Sequence, residues 1–229
     1  MSIPTPFNPL GTLGANPLAG YVTDGLILAF DALLEPPGTR HYLTNWVSGT
    51  QCEFSEPLTV ADGSISNEGE IPAKFNPYPM QPIDGHPAFG LGYSADVCAE
   101  RAGSGMSFNP WGQDFVMSTS YVPGFQFLNE ERKAIRVSTR TDTFQYVCEL
   151  ALPLGVRVSA HVEFLQGNYI RVNGESMGNV TNDWAAMPGA VARINNGAII
   201  YAYRLYDRRL SIVEQMQNYA MDKKRFNLP

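Results

Sequence analysis

The residues "VRVSAHVEF", 156 to 164, constrain the fold most. Val156, Val158, Ala160, Val162 and Phe164 alternate with Arg157, Ser159, His161 and Glu163. Successive side chains of a strand point to opposite faces, so this period of two predicts a strand with one face in a core and one facing solvent. His161 is therefore expected to be exposed. "GNYIRVNGES" follows, with Ile170 and Val172 alternating against Tyr169 and Arg171. Asn173-Gly174 supplies two residues that tolerate the positive φ of a tight hairpin turn. These two strands are expected to pair. A second turn signal, Asn195-Asn196-Gly197, precedes "AIIYAYRLY", where Ile199, Tyr201, Tyr203 and Leu205 are expected to face one way.

The chain then changes character. Ser211 and Glu214 have the spacing of a capping box, in which serine oxygen and glutamate carboxylate each accept a backbone N–H at a helix start. Ile212, Val213, Met216, Tyr219 and Ala220 recur at three- and four-residue spacing, which predicts an apolar stripe on a helix packed against the sheet. Lys223, Lys224 and Arg225 fall where cations interact favourably with the helix dipole. At the other end, residues 1 to 23 carry no charged side chain, and Pro4, Pro6, Pro9 and Pro17 are interspersed with Gly11, Gly14 and Gly20. Proline fixes φ and glycine frees it, so the segment predicts an extended arm. Its apolar residues Ile3, Phe7, Leu10, Leu13 and Leu18 predict that it lies on its own domain or on a neighbouring subunit.

A single domain is expected over 24–229. It opens on "GLILAFDAL", a dense apolar run that predicts a strand buried on both faces. Six prolines between residues 57 and 87 predict a long loop with a few short strands from about Glu35 to Phe89. The chain has 229 residues of which 44% are hydrophobic, enough for one large core. Its net charge of −6 and pI near 5.1 argue against nucleic acid and anionic membranes as partners. No stretch has the apolar length of a membrane span, and the opening lacks the features of a signal peptide. Cys52, Cys98 and Cys148 are widely separated and odd in number, which predicts free thiols in a reducing compartment.

The order of strand, Asn-Gly hairpin, final strand and short helix resembles the second half of the laminin-G-like domains of the concanavalin A-like lectin/glucanase superfamily. "IRVNG" at 170 to 174 is similar to that family's "YVNG" hairpin, and Arg204 to Tyr219 to its closing "RIYNRALS.EEI..NY" phrase. The similarity runs from about Leu154 to Phe226, with "GLILAFDAL" resembling the opening strand and Asp114 to Tyr121 a central one. The resemblance implies an all-β, two-sheet antiparallel jelly-roll sandwich with a short closing helix.

The residues carry no strong catalytic pattern. Glycosidases of this superfamily place two carboxylates on one strand as E-x-D-x-x-E, and the chain has no E-x-D. Glu68 and Glu70 alternate but sit in "SNEGEIP" and read as loop acids. Ser104 in "AGSGMS" lacks the G-x-S-x-G frame, and His41, His86 and His161 are isolated. Asp62, Ser64 and Ser66 echo a calcium loop, but Asn67 and Ala73 stand where that loop needs glycine and glutamate, so no metal or cofactor is expected; Asp84 or Asp183 would be the candidates for calcium. A recognition surface remains: Trp111 and Gln113 in "NPWGQD", and Asn182, Asp183 and Trp184 in "TNDWAAMPG", pair aromatic faces with hydroxyl-binding groups suited to a sugar. With the uncharged arm, and an opening "PTPFNPLGTLG" similar to those of gut phage and prophage proteins, these features predict a non-enzymatic virion surface protein. Its expected partners are other virion proteins or copies of itself through the arm, with a cell-surface glycan besides. A bacterial carbohydrate-binding module at the cell surface, or a glycoside hydrolase of the same fold, is the alternative.

Overall fold

The computed structural model describes residues 18–69, 71, 73–75, 93–101, 108–109, 124–127, 135–138, 146–148, 155–164, 168–180, 192–194 and 198–229. Among these lie fifteen strands and one helix. In chain order they are β1 (Leu26–Asp31), β2 (Gly38–Asn45), β3 (Thr50–Ala61), β4 (Ser64–Ser66), β5 (Ala73–Phe75), β6 (Tyr93–Arg101), β7 (Phe108–Asn109) and β8 (Gly124–Phe127). There follow β9 (Ile135–Ser138), β10 (Tyr146–Cys148), β11 (Arg157–Phe164), β12 (Asn168–Val172), β13 (Glu175–Val180), β14 (Ala192–Ile194), β15 (Ala198–Tyr206) and α1 (Ile212–Phe226).

The fold is all-β with a short closing helix. Its main element is an antiparallel nine-stranded sheet ordered β13-β12-β11-β6-β15-β4-β3-β2, with β1 on β15. One edge of β15 is shared: Ile199 and Ile200 pair with β4, while Ala202 to Tyr206 pair with β1. β10-β9-β8 and β5-β14-β7 form two further ladders. Ala73 of β5 and Ile194 of β14 are buried in one apolar cluster with Leu28, Phe30, Val97, Ala160, Val162 and Leu205 of the large sheet. The core therefore sits on one face of that sheet, against the β5-β14-β7 ladder.

The hairpin reading holds in detail. β11 pairs with β12, and β12 turns into β13 through Asn173 and Gly174 at φ 48° and 80°. A side chain on Gly174 would meet the Tyr219 ring at 2.9 Å, so the turn also requires glycine for the close approach of α1.

Two expectations are corrected here. The proline-bearing region contains β2 to β5, including the twelve-residue β3. Pro57 fits a strand because the β2–β3 register shifts between Arg40 and Tyr42: Arg40 pairs with Leu58 and Tyr42 with Glu53, leaving proline in a bulge that needs no amide donor. The phase of β15 is also broken by a register shift between Ile200 and Ala202. Tyr203 and Leu205 enter the main core, whereas Ile199 and Tyr201 lie with Cys98 and Phe226 on the opposite side. Asp114 to Tyr121 and the turn at 195 to 197 lie outside the described residues.

Candidate functional site

The second face of the large sheet is not open to water. His161 is 4% exposed and Glu163 3%, because α1 lies across β6, β11 and β15. The expectation of an exposed His161 fails for this reason: alternation marks the apolar face but does not say what covers the polar one. The helix reading is inverted in the same way. Gln215, Asn218, Asp222 and Phe226 are the buried residues of α1, while Ile212 and Val213, at 59% and 77% exposure, point outward. The Ser211–Glu214 capping box forms as expected, with Ser211 N–H donating to Glu214 Oε2 at 2.7 Å.

Antiparallel registers place the charged residues in a row. His161 of β11 is opposite both Arg171 of β12 and Asp96 of β6, and Asp96 is opposite Arg204 of β15. His161 Nδ1 lies 2.7 Å from Asp96 Oδ1, and Asn218 of the helix donates to Asp96 Oδ2 at 2.6 Å. Arg204 reaches Asp222 Oδ2 at 2.5 Å and stacks over the Tyr21 ring, 4.2 Å from its centroid. Asp222 also accepts from Ser159 Oγ at 2.8 Å and from Tyr21 O–H at 3.0 Å. Glu163 Oε2 takes two donors from Arg209, at 2.6 and 2.9 Å, and Oε1 accepts from Gln215 at 2.9 Å. Near the helix end, Arg225 Nε pairs with buried Asp31 at 2.9 Å, so one member of the basic triplet serves the fold.

Burial alone would raise the pKa of Asp96. The hydrogen bond and charge of His161, with Arg204, outweigh it and hold the carboxyl below its usual range. Burial likewise opposes a charged His161, but the Asp96 and Glu163 carboxylates outweigh it and raise the imidazole pKa. Glu163 is lowered against its burial by His161 and Arg209. Asp222 differs: burial outweighs Arg204 and Ser159 and raises its carboxyl pKa. The layer is thus a set of paired groups in which His161, Asp96 and Glu163 hold one another charged. Cys98, on the same face of β6 as Asp96, and Cys52, on β3, are free thiols, and burial pushes Cys52 up to about 11, leaving it protonated at neutral pH.

At the start of α1 the layer borders a surface cleft of about 380 Å³ lined by Glu163, Arg209, Leu210, Ser211, Ile212 and Gln215. Within it, the Arg209 and Gln215 side chains both donate to Glu163. The cleft offers a guanidinium edge, 58% exposed, beside apolar walls.

The residues singled out for sugar contact, Trp111, Gln113, Asn182, Asp183 and Trp184, lie outside the described residues, as do Ile3, Phe7, Leu10 and Leu13 of the arm. So do Glu70, Asp84, His86 and Ser104. Residues 181–191 join β13 to β14, and 110–123 join β7 to β8. Glu68 is exposed, and among the described residues no group of three or more His, Cys, Asp or Glu side chains could hold a metal ion. His41 Nδ1 lies 3.4 Å from the Phe54 carbonyl across the β3 bulge. The polar layer does have a signal in the sequence: Ser94, Asp96, Cys98 and Glu100 alternate in β6, and Gln215, Asn218 and Asp222 recur at helical spacing.

No protein-family model matches the sequence, and no curated protein matches it. Solved structures do. The sialidase of Trypanosoma rangeli in complex with sialic acid aligns with a TM-score of 0.63 at 12% identity over 98% of this chain, which covers 36% of the sialidase. A second structure of that sialidase gives 0.62 at 10% identity over 88% of this chain and 33% of its own. The binding domain of botulinum neurotoxin serotype D gives 0.59 at 9% identity over 88% of this chain and 53% of that domain. The chain therefore spans about a third of the sialidase and half of the toxin domain. Likeness at this identity establishes a β-sheet-rich fold and carries no chemistry with it.

Proposed function

We propose that the chain is a non-enzymatic recognition module built as a laminin-G-like, two-sheet jelly-roll sandwich, and that it serves as a surface or assembly protein of a virion. The observation that favours a non-catalytic role is the compensation of the buried charges. Among the described residues, Asp96, Glu163 and Asp222 each accept from a cationic side chain while bearing on α1, which makes none of them one of a free pair of carboxylates such as two-carboxylate glycosidases use. The core shared by the large sheet and the β5-β14-β7 ladder favours two layers. Surface glycans are the ligand class that the pairing of aromatic faces with amides and a carboxylate in the Trp111 and Trp184 segments favours. In this reading Trp111 and Trp184 stack on a sugar face while Gln113, Asn182 and Asp183 bond its hydroxyls, and residues 1–17 serve attachment.

A glycan array probed with the full chain tests recognition: binding that Trp184→Ala abolishes supports the reading. Turnover of any arrayed glycan would overturn the non-catalytic part. Virion placement is tested separately by gene neighbourhood, where capsid, portal or tail genes support it and glycan-utilisation genes sink it.

A further inference from the structure

The outer side of α1 is apolar where a helix over a sheet is ordinarily polar. At about 100° per residue, Ile212, Val213, Met216, Gln217 and Ala220 share one side of its first turns, and none is charged. Ile212 and Val213 are exposed, Met216 is 39% exposed, and Ile212 continues into the cleft walled by Leu210. A solvated helix gains nothing from presenting this face to water, since the hydrophobic effect favours covering it.

The chain supplies a cover. Leu18 belongs to the buried cluster that contains Leu210, the residue two positions before α1 begins. Gly20 lies on the helix itself: its carbonyl accepts from Gln217 Nε2 at 2.9 Å, and at φ 92° a side chain there would meet Met221 at 2.7 Å. Val22 N–H donates to Asn218 Oδ1 at 2.8 Å, so the chain reaches the helix before entering β1. The described chain thus starts, at Leu18, near the beginning of α1. Fully extended, residues 1–17 reach about 55 Å, more than twice the roughly 22 Å of a fifteen-residue helix. They carry no charge, and Ile3, Phe7, Leu10 and Leu13 match an uncharged surface.

We propose that residues 1–17 of the same chain dock along the Ile212, Val213 and Met216 face of α1, with an apolar side chain seated in the adjoining cleft. The linkage favours the chain's own arm, because a short connection holds it at an effective concentration of about a millimolar. Assembly onto a neighbour would then exchange this contact for the same one in trans. The proposal uses the arm of the functional reading but is independent of glycan recognition.

Thermolysin, which cleaves beside large apolar residues, tests it on the full chain, with loss of residues 1–13 followed by mass spectrometry. Cleavage is expected to be at least about tenfold slower than in a free peptide of residues 1–20, since proteolysis follows the open population. The Val213→Asp/Met216→Asp variant, its fold checked by circular dichroism, should lose that protection. Equal cleavage of wild-type chain and peptide overturns the proposal without needing the variant. Protection that disappears on about hundredfold dilution also overturns it, because the occupant is then a second copy. Neither result touches the glycan array.

Discussion

The two faces of the large sheet are buried by different means. On one, Leu28, Val97, Val162 and Leu205 pack against other apolar residues, a non-directional contact that tolerates repacking. On the other, Asp96, His161, Arg204 and Asp222 meet donors and acceptors of α1 and β15 at fixed distances. The first face supplies most of the driving force for burial. The second sets where the helix sits, because a shift of one residue would leave several charges in low dielectric without partners.

The largest effect that could break this comparison is expected at Arg204. Arg204→Met leaves Asp222 and Asp96 short of a buried cation and should cost about 3–5 kcal/mol in urea unfolding. Adding Asp222→Leu should recover a large part of that loss; a simple sum of the two single effects would show that the layer does not act as a unit. Next in size is Leu205→Ala, one position along the same strand but on the apolar face. It should cost about 3 kcal/mol and add to Arg204→Met, coupling between them being the result that blurs the two faces.

His161 sharpens the comparison through pH. Its folded pKa lies above the unfolded value of about 6.5, so its contribution is whole below that pH and is lost as pH rises through the folded value. Asp96 and Glu163 are lowered, so their contribution is whole above about pH 4.5 and is lost as acid passes their folded values. From His161, Asp96 and Glu163 the melting temperature should peak between about pH 5 and 6.5, and Asp222, raised by burial, adds a loss as pH rises through its folded value. His161→Gln should cost about 2 kcal/mol at that peak, flatten the alkaline limb and weaken the acid one, because the His161 charge helps hold Asp96 and Glu163 down; an unchanged alkaline limb would show that His161 is neutral in the fold. Smallest is Ser211→Ala, which removes the cap and should cost about 1 kcal/mol, read as a small drop in melting temperature.

The sequence shows the strand, the Asn-Gly turn and the capped helix because each is a local matter of period, φ and hydrogen bonding. The side of α1 that faces inward is not local. Ile212, Val213 and Met216 form the stripe that ordinarily packs inward, and only the facing row of Asp96, His161 and Arg204 reverses it. The bulge around Pro57 was hidden for a related reason: a proline count says that pairing is interrupted, not that the strand resumes beyond it. Trp111, Gln113, Asn182, Asp183 and Trp184 suit a sugar by side-chain chemistry, and they lie outside the described residues.

The shared edge of β15 has a bearing on synthesis. β1 leaves the ribosome well before its ladder partner, which spans Ala202 to Tyr206, about 175 residues later. β6 too pairs with β15, and β4 needs Ile199 and Ile200. The large sheet cannot close during translation until β15 has emerged. Contacts of such sequence separation form slowly and leave apolar strands unpaired in the meantime, so refolding in vitro should be slow and sensitive to protein concentration.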